Sequence, residues 1–487
     1  MSAPTPRRGT LGTADIAFFV ISAAAPLTVM AGVAPIALML GGIGAPVGYL
    51  LAGITLAIFA VGFTTMSRHV RSGGAFYAYI TRGLGRPLGI SASLLAMLGY
   101  NGMEIGVYGL LGSATADTVQ SMGGIDVPWL PIALAGLLVV WYGGFRSIDF
   151  GAKLLGVLLV AETGILVLLA GGVLLDGGAT GISFASFAPA HIFVPGMAAV
   201  LACAFAAFTG FESTVIYRRE AKDPDRGVPR ATYIAVAFLG LFYSFVVWAV
   251  IQAFGDGKVV EAAATDPGGM FFAAITTYVG PWAADLMHLL IITSILASLL
   301  AFHNAINRYG LALAEEGVLP PAFGRLHPRH RSPHVAGAAQ IALGAVVVIA
   351  FAAAGADPYA QLLLWVNTPG MIALMALQLL AALAVPLYFR SVTHSEGALR
   401  TVVAPIVAAV LLASALGLVV YNVDLFSGAS TGVNVVLVAV VPAVFLAGLV
   451  LAHRLRRTRP EVYAGFAAEP DEAPHPAEPV RSSTTTV

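Results

Sequence analysis

The sequence predicts an all-α membrane protein with twelve transmembrane helices. Three observations carry that expectation: twelve long apolar stretches, a shortage of charge, and basic residues confined to alternate gaps. The chain has 487 residues, of which 58% are hydrophobic and only 10% charged. A soluble domain carries about 25% charged residues, so this chain could not cover a water-facing surface. Mean hydropathy is +0.88. Of the 25 Lys and Arg residues, all but Lys258 fall in every second gap between the apolar stretches. Short cytoplasmic loops collect Lys and Arg. The expected location is therefore the cell inner (plasma) membrane, multi-pass, with both termini cytoplasmic. A missed or invented helix would invert the alternation downstream, and it does not invert.

A span needs about 20 apolar residues. The expected helices run Ala14 to Leu40, Val47 to Met66, Leu88 to Val119, Val127 to Tyr142, Lys153 to Leu175 and Val194 to Tyr217. The rest are Ala231 to Phe254, Met270 to Phe302, Val335 to Ala354, Tyr359 to Phe389, Val402 to Tyr421 and Val433 to His453. Residues 1–12 read as a cytoplasmic tail. Residues 13–175 hold helices 1–5, residues 193–390 hold helices 6–10, and residues 401–455 hold the last two. Residues 456–487 are rich in Pro, Glu, Ala, Ser and Thr and read as a disordered cytoplasmic tail. The stretch from Asn304 to Pro320 is helix-like and is expected along the inner surface.

Composition also removes several function classes. Formal net charge is zero, so nothing points to a nucleic-acid partner. The one cysteine, Cys203, excludes a disulfide scaffold and a cysteine-built metal site. The ten histidines show no ligand spacing. No enzyme, metal or cofactor is expected.

Two spans carry helix-breaking residues near their middle. The first reads Ala23-Ala24-Ala25-Pro26-Leu27-Thr28, then Gly32 and Pro35. Proline removes a backbone hydrogen bond and clashes with the preceding turn. The sixth reads Phe208-Thr209-Gly210-Phe211-Glu212-Ser213. Taken singly, each is a plain kink or a packing glycine. Together they fall at corresponding places of two five-helix units, and an odd number of helices turns the second unit upside down. Interrupted helices paired in inverted repeats point to a substrate site near the bilayer midplane.

Three further stretches carry a family likeness: Ser72-Gly73-Gly74-Ala75-Phe76-Tyr77-Ala78-Tyr79, the run from Phe208 through Glu220 to Ala231, and Asn304 through Pro320. Over roughly residues 10–455 the chain resembles the amino acid–polyamine–organocation (APC) superfamily of transporters. The resemblance implies a five-plus-five inverted repeat of the leucine-transporter type, two added helices and alternating access. It also implies a small amino-acid or amine cargo driven by protons, sodium or exchange. Two departures stand out. The helix-one break is Ala-Pro where many members have a Gly-Ser-Gly type. Ala206 stands where arginine–agmatine exchangers carry a gating tryptophan, which leaves Phe205 or Phe208 as the aromatic lid.

Free backbone groups at the breaks would meet a charged cargo. Ala25, Leu27, Thr28 and Val29 in helix one, and Ala207, Phe208 and Gly210 in helix six, are the expected contacts; the alternative is close helix packing. Three acids lie deep in spans, where a charge costs about 2.5–3.5 kcal/mol by insertion scales. Glu162 stands where a proton-coupled subgroup of the family carries a lysine. It is expected to hold the coupling proton, or else to be a protonated structural acid. Glu212 either shares that role or hydrogen-bonds unwound backbone. Glu104, with Asn101, either faces the cargo and favours a cationic group or is a buried structural acid. Thr293, Ser294 and Ser298 in helix eight either complete a sodium site or bond back to their own helix.

The functional expectation is a secondary active transporter of amino acids or related amines, by proton-coupled symport, embedded in the lipid bilayer. An exchanger or a non-transporting nutrient receptor is the alternative. A channel would show a symmetric filter or charged rings.

Overall fold

The first apolar stretch does not fold as one rod. Thr13–Ala24 forms α1, and Pro26–Gly32 forms α2. Between them Ala25 takes φ 46° and ψ 73°, the left-handed region. That conformation costs an alanine about 1–2 kcal/mol, and Ala25 is held in it by burial on all sides. Pro26 suits a helix start, because its missing N–H belongs to a first-turn position that has no intrahelical partner. The structure is a computed structural model, and it describes residues 9, 11–70, 75–146, 152–219 and 221–468. Ser72, Gly73, Gly74 and Glu220 of the family-like stretches lie outside the described residues, as does most of the two expected tails.

After Val33 the chain continues as α3 (Ala34–Gly41) and, through a 3₁₀ turn at Gly42–Gly44, as α4 (Ala45–His69). Next come α5 (Ala75–Leu84), α6 (Arg86–Gly123), α7 (Trp129–Phe145) and α8 (Ala152–Asp176). The second interruption follows α9 (Met197–Ala207). Gly210 turns the chain with φ 108°, and Phe211–Arg219 continues as a 3₁₀ helix. Besides a few short helical turns, there follow α10 (Pro224–Phe254), α11 (Met270–Tyr278), α12 (Pro281–Glu315), α13 (His334–Ala353), α14 (Leu364–Ser391), α15 (Ala404–Tyr421), α16 (Thr431–Thr458) and α17 (Pro460–Gly465).

Among the described residues, 11 helical stretches are long and apolar enough to cross a membrane, with Ala34–His69 counted as one. Trp129–Phe145 is apolar but has only 17 residues, about 25 Å at 1.5 Å per residue. The protein is a multi-pass, all-helical membrane protein. The isolated bridge between Leu11 and Ala221 is the only strand-like pairing among the described residues.

Three expectations change. The span expected from Met270 to Phe302 is two helices, because Gly280 turns at φ 129° and Pro281 starts α12. That helix runs on to Glu315, so residues 304–315 extend a span and form no separate surface helix. The tail expected from residue 456 is ordered in its first part. There α17 forms, and Phe466 is only 2% exposed. Its few apolar residues, Val462, Tyr463 and Phe466, were hidden among Pro, Glu and Ala.

Small residues bring the helices together. A Cβ on Gly102 of α6 would lie 2.9 Å from Gly370 Cα of α14. Only hydrogen there lets the two backbones pack.

Candidate functional site

Both interruptions border one chamber. Its wall takes Ala23, Ala24, Thr28 and Val29 from the first broken helix, and Cys203, Ala206, Ala207 and Thr209 from the second. Met103, Val107 and Leu110 of α6, Ser298 and Phe302 of α12, and Asn367 of α14 complete much of it. Its volume is about 50 Å³, room for about one or two waters. The chamber is closed around almost nothing, and its wall is apolar apart from four side chains: Thr28, Thr209, Ser298 and Asn367.

Glu162 reaches the first break from α8. Ser294 Oγ donates to Glu162 Oε2 over 2.8 Å. Thr28 Oγ1 donates to the same Ser294 Oγ at 2.8 Å, and the Thr28 N–H points to it at 3.3 Å. The Leu27 backbone amide bonds to Glu162 as well. The first amides of a helix have no intrahelical partner. Here the first two available amides of α2, after Pro26, end on the chain's own carboxylate and hydroxyl. Negative charge is favourable at that end of a helix.

Glu212 occupies the second break. Tyr100 Oη donates to its Oε1, and the Gly210 N–H donates to its Oε2 at 3.0 Å. From Tyr100 a run of rings leads to one end of the molecule. Tyr100 and Tyr309 have centroids 5.4 Å apart, Tyr309 and Tyr77 5.9 Å, Tyr77 and Phe466 5.5 Å. Tyr77 Oη donates to Glu316 Oε1 at 3.1 Å. Burial pushes the Glu316 carboxyl up to about 7, and neighbouring Glu315 adds to the shift. Among the described residues this end is packed by these rings, and Leu11 meets Ala221.

The opposite end is open. A vestibule of about 800 Å³ is lined by Asp117, Asp266, Asp285, Asp357, His288 and Tyr359, among others, with no Lys or Arg among the described lining residues. Leu110 borders both the vestibule and the chamber. It lies against Gly32, where an added Cβ would meet Leu110 Cδ2 at 2.8 Å. Tyr359 Oη donates to the Gly32 carbonyl at 2.8 Å. Leu110 is thus a thin partition between the two spaces.

A profile of the family described as "Amino acid permease" matches residues 15–462. The chain belongs to the amino acid permease family. That family, within the APC superfamily, is one of transporters and not of enzymes, and its members move small molecules such as amino acids or amines. Two uncharacterized transporters of Mycobacterium tuberculosis H37Rv are similar. One is 27% identical over 59% of this chain and 63% of its own length, the other 26% identical over 71% and 74%. The low-affinity putrescine importer PlaP of Escherichia coli K12 is 24% identical over 59% of this chain and 63% of its own length. The chain thus covers under two thirds of the first of these relatives.

Within this permease the expected residues separate into two groups. Thr28, Val29 and Ala207 line the chamber. Ala25 and Leu27 are buried within the break and do not line it, and the Gly210 N–H is taken by Glu212. Asn101 donates to the Met97 carbonyl. Glu104 bonds to Tyr108 and to Gln340 of α13, off the chamber wall. Phe205 and Phe208, expected as the lid, are buried and do not line the chamber. Phe208 lies against Gly53 and Gly240, its ring 6.2 Å from Tyr243. Phe302, Phe426 and Leu110 are among the bulky side chains at the chamber. Helical periodicity explains the shift: Met103, Val107 and Leu110 share a face at i, i+4 and i+7, which turns Asn101 and Glu104 away. Those three were missed because apolar residues announce no chemistry, although their spacing marks the face. Thr293 bonds back to Leu290, as span hydroxyls commonly do, while Ser294 is engaged by Glu162 and Thr28.

Proposed function

We propose that this permease imports a small organic amine across the cell inner membrane by alternating access, as a proton symporter with Glu162 as the proton site. The observation that carries the reading is the bonding of Glu162, through Ser294 and the Leu27 amide, to the N-terminus of the half-helix α2. A proton gained or lost at Glu162 changes what holds the first break. In this reading the core is a five-plus-five inverted repeat of the leucine-transporter type, α15 and α16 are the two added spans, and both termini are cytoplasmic. The acidic vestibule then faces outside, and the end with the tyrosine rings faces inside.

The same bonding bears on the cargo. A substrate carboxylate would need the free amides of α2, and Glu162 and Thr28's partner Ser294 already take them. What remains at the breaks is the carbonyl end of α1 and α9, the negative dipole ends, which suit an ammonium group. The chamber's apolar wall suits an alkyl chain. Four carboxylates in the vestibule raise the local concentration of cations. The putrescine importer among the relatives has a cargo of that kind. Cargo entry requires Leu110 to move, because the closed chamber is smaller than a diamine. Glu212 and Tyr100 close the opposite path, and Thr28, Val29 and Ala207 contact the cargo.

Purified permease in liposomes, offered diamines and amino acids with and without an imposed pH gradient, tests the reading. Diamine accumulation that depends on an acidic exterior is the expected result. Uptake of amino acids only overturns the cargo class. Uptake that ignores the gradient but needs internal substrate points to exchange, and binding without flux points to a receptor.

A further inference from the structure

A second buried acid is built differently from Glu162, and nothing in the proposed cycle uses it. Glu104 is fully buried on α6. Its described partners are both donors: Tyr108 Oη at 3.1 Å on Oε1, and Gln340 Nε2 on Oε2. A carboxyl group surrounded by donors is arranged as a carboxylate. In a membrane-spanning helix that charge needs a counter-charge. His303 of α12 supplies the candidate, with Nδ1 3.8 Å from Glu104 Oε1 and a side chain 1% exposed.

Gln340 orders the pair. Its Nε2 donates to Glu104, so its Oε1 faces His303 Nδ1 and accepts from it. The His303 Nδ1 therefore carries a hydrogen. His303 Nε2 is buried with no partner, and so is Asn307 Oδ1 one turn further along α12. Both lie near Gly337 of α13, where an added Cβ would stand 3.2 Å from Asn307 Nδ2, 3.3 Å from Nε2 and 3.6 Å from Oδ1. In a neutral imidazole with hydrogen on Nδ1, Nε2 and Asn307 Oδ1 are two buried acceptors without a donor, which is costly. A proton on Nε2 would supply the donor that this pair of acceptors lacks.

We propose that Glu104, Gln340, His303 and Asn307 form a proton-binding site in the wall made by α6, α12 and α13, distinct from Glu162 and Glu212. Loaded, His303 is an imidazolium donating from Nδ1 to Gln340 and from Nε2 toward Asn307, paired with the Glu104 carboxylate. Unloaded, Nε2 releases that one proton to water and the imidazole is neutral. The titratable groups around the site are few. Tyr108 comes from α6 and His334 from the first turn of α13. Gly144 of α7 also lies against the ring, and an added Cβ there would stand 2.7 Å from Nε2. His334 Nδ1 is itself buried without a partner, and its ring lies 5.7 Å from His327, which stacks on His330 at 5.0 Å. Arg146, beyond α7, acts electrostatically on His330. These imidazoles lead from Gly337 past the start of α13 at His334 and form the exit route. The proposal rests on the proton-symport reading for its purpose but not for its existence.

The test counts protons released by the purified full-length permease in nanodiscs on a jump from acid to alkaline pH. Glu104→Gln and His303→Gln are each expected to release about one proton fewer than wild type, and the double variant also about one fewer, because the two groups share it. A double variant that loses two protons, or single variants that lose none, overturns the site. Asn307→Leu keeps both titratable groups and is expected to move the release midpoint to lower pH. ¹⁵N-histidine spectra of the wild type read the His303 imidazole without any core variant, and the absence of a titrating buried imidazole also overturns the site. If uptake in liposomes ignores the pH gradient while the shared proton is present, the symport reading fails and the site stands.

Discussion

Ser294 Oγ donates to Glu162 Oε2 across 2.8 Å while accepting from Thr28. One hydroxyl therefore joins α8, α12 and the first half-helix after the break. Glu162→Gln keeps the shape and removes the ionisable group. Accumulation driven by a pH gradient is expected to vanish, while counterflow of labelled substrate continues. Unchanged accumulation would remove Glu162 from the coupling step.

Ser294→Ala takes away the donor to Glu162 and the acceptor for Thr28 together. Leaving buried polar groups unsatisfied costs about 1–3 kcal/mol. The melting temperature of the purified protein should fall, and proton-driven uptake should weaken more than counterflow. A variant with wild-type melting and coupling would show that water replaces the hydroxyl.

Gly210 holds φ 108°, and an added Cβ there would stand 3.9 Å from the Ala23 Cβ. Alanine at this position strains the backbone without a clash, at about 1–3 kcal/mol. Gly164→Ala on α8, where nothing lies within 4 Å, is the control and should be neutral within about 0.5 kcal/mol. Equal thermal stability of the two variants would mean that the second break relaxes freely.

Burial of Glu316 beside Tyr77 makes the docking of the C-terminal segment depend on pH. The docked state raises this carboxyl from 4.5 to about 7, so docking favours the neutral form. The contribution is fully present below the ordinary carboxylate range and is lost as pH rises through about 7. The protection factors for hydrogen exchange of residues 459–468, relative to unfolded chain at the same pH, should therefore fall above neutral pH. Glu316→Gln should flatten that dependence; an undiminished pH response in the variant would place the cause elsewhere.

Asp117, Asp266, Asp285 and Asp357 line a vestibule with no described basic residue. Replacing Asp117 and Asp266 by Asn should raise KM for a diamine by about 3- to 10-fold at low salt, with kcat little changed. The difference should shrink as salt rises. A KM insensitive to both charge and salt would exclude electrostatic capture.

Most of the spans were legible from residue order, because lipid imposes a length and a composition on each of them. Both helix breaks were legible too: Ala25-Pro26 and Gly210 announce themselves through backbone restrictions that act within a turn. Glu162 stood out because a charge at span depth needs a reason. The chamber wall was less legible. Met103, Val107 and Leu110 resemble any packing residues, and Phe205 and Phe208 had the right size for a lid on the wrong faces of their turns.

By itself the order of amino acids determined that this chain is helical, lies in a membrane and breaks two of its spans, because those properties follow from local hydropathy and local dihedral limits. Tertiary structure alone decided the partners. Ser294 is 132 residues from Glu162, and Gln340 is 236 residues from Glu104. A hydrogen bond acts over about 3 Å and carries no trace of itself along the chain. Only the packing of separate helices could show that one buried acid holds a helix break while the other faces a histidine.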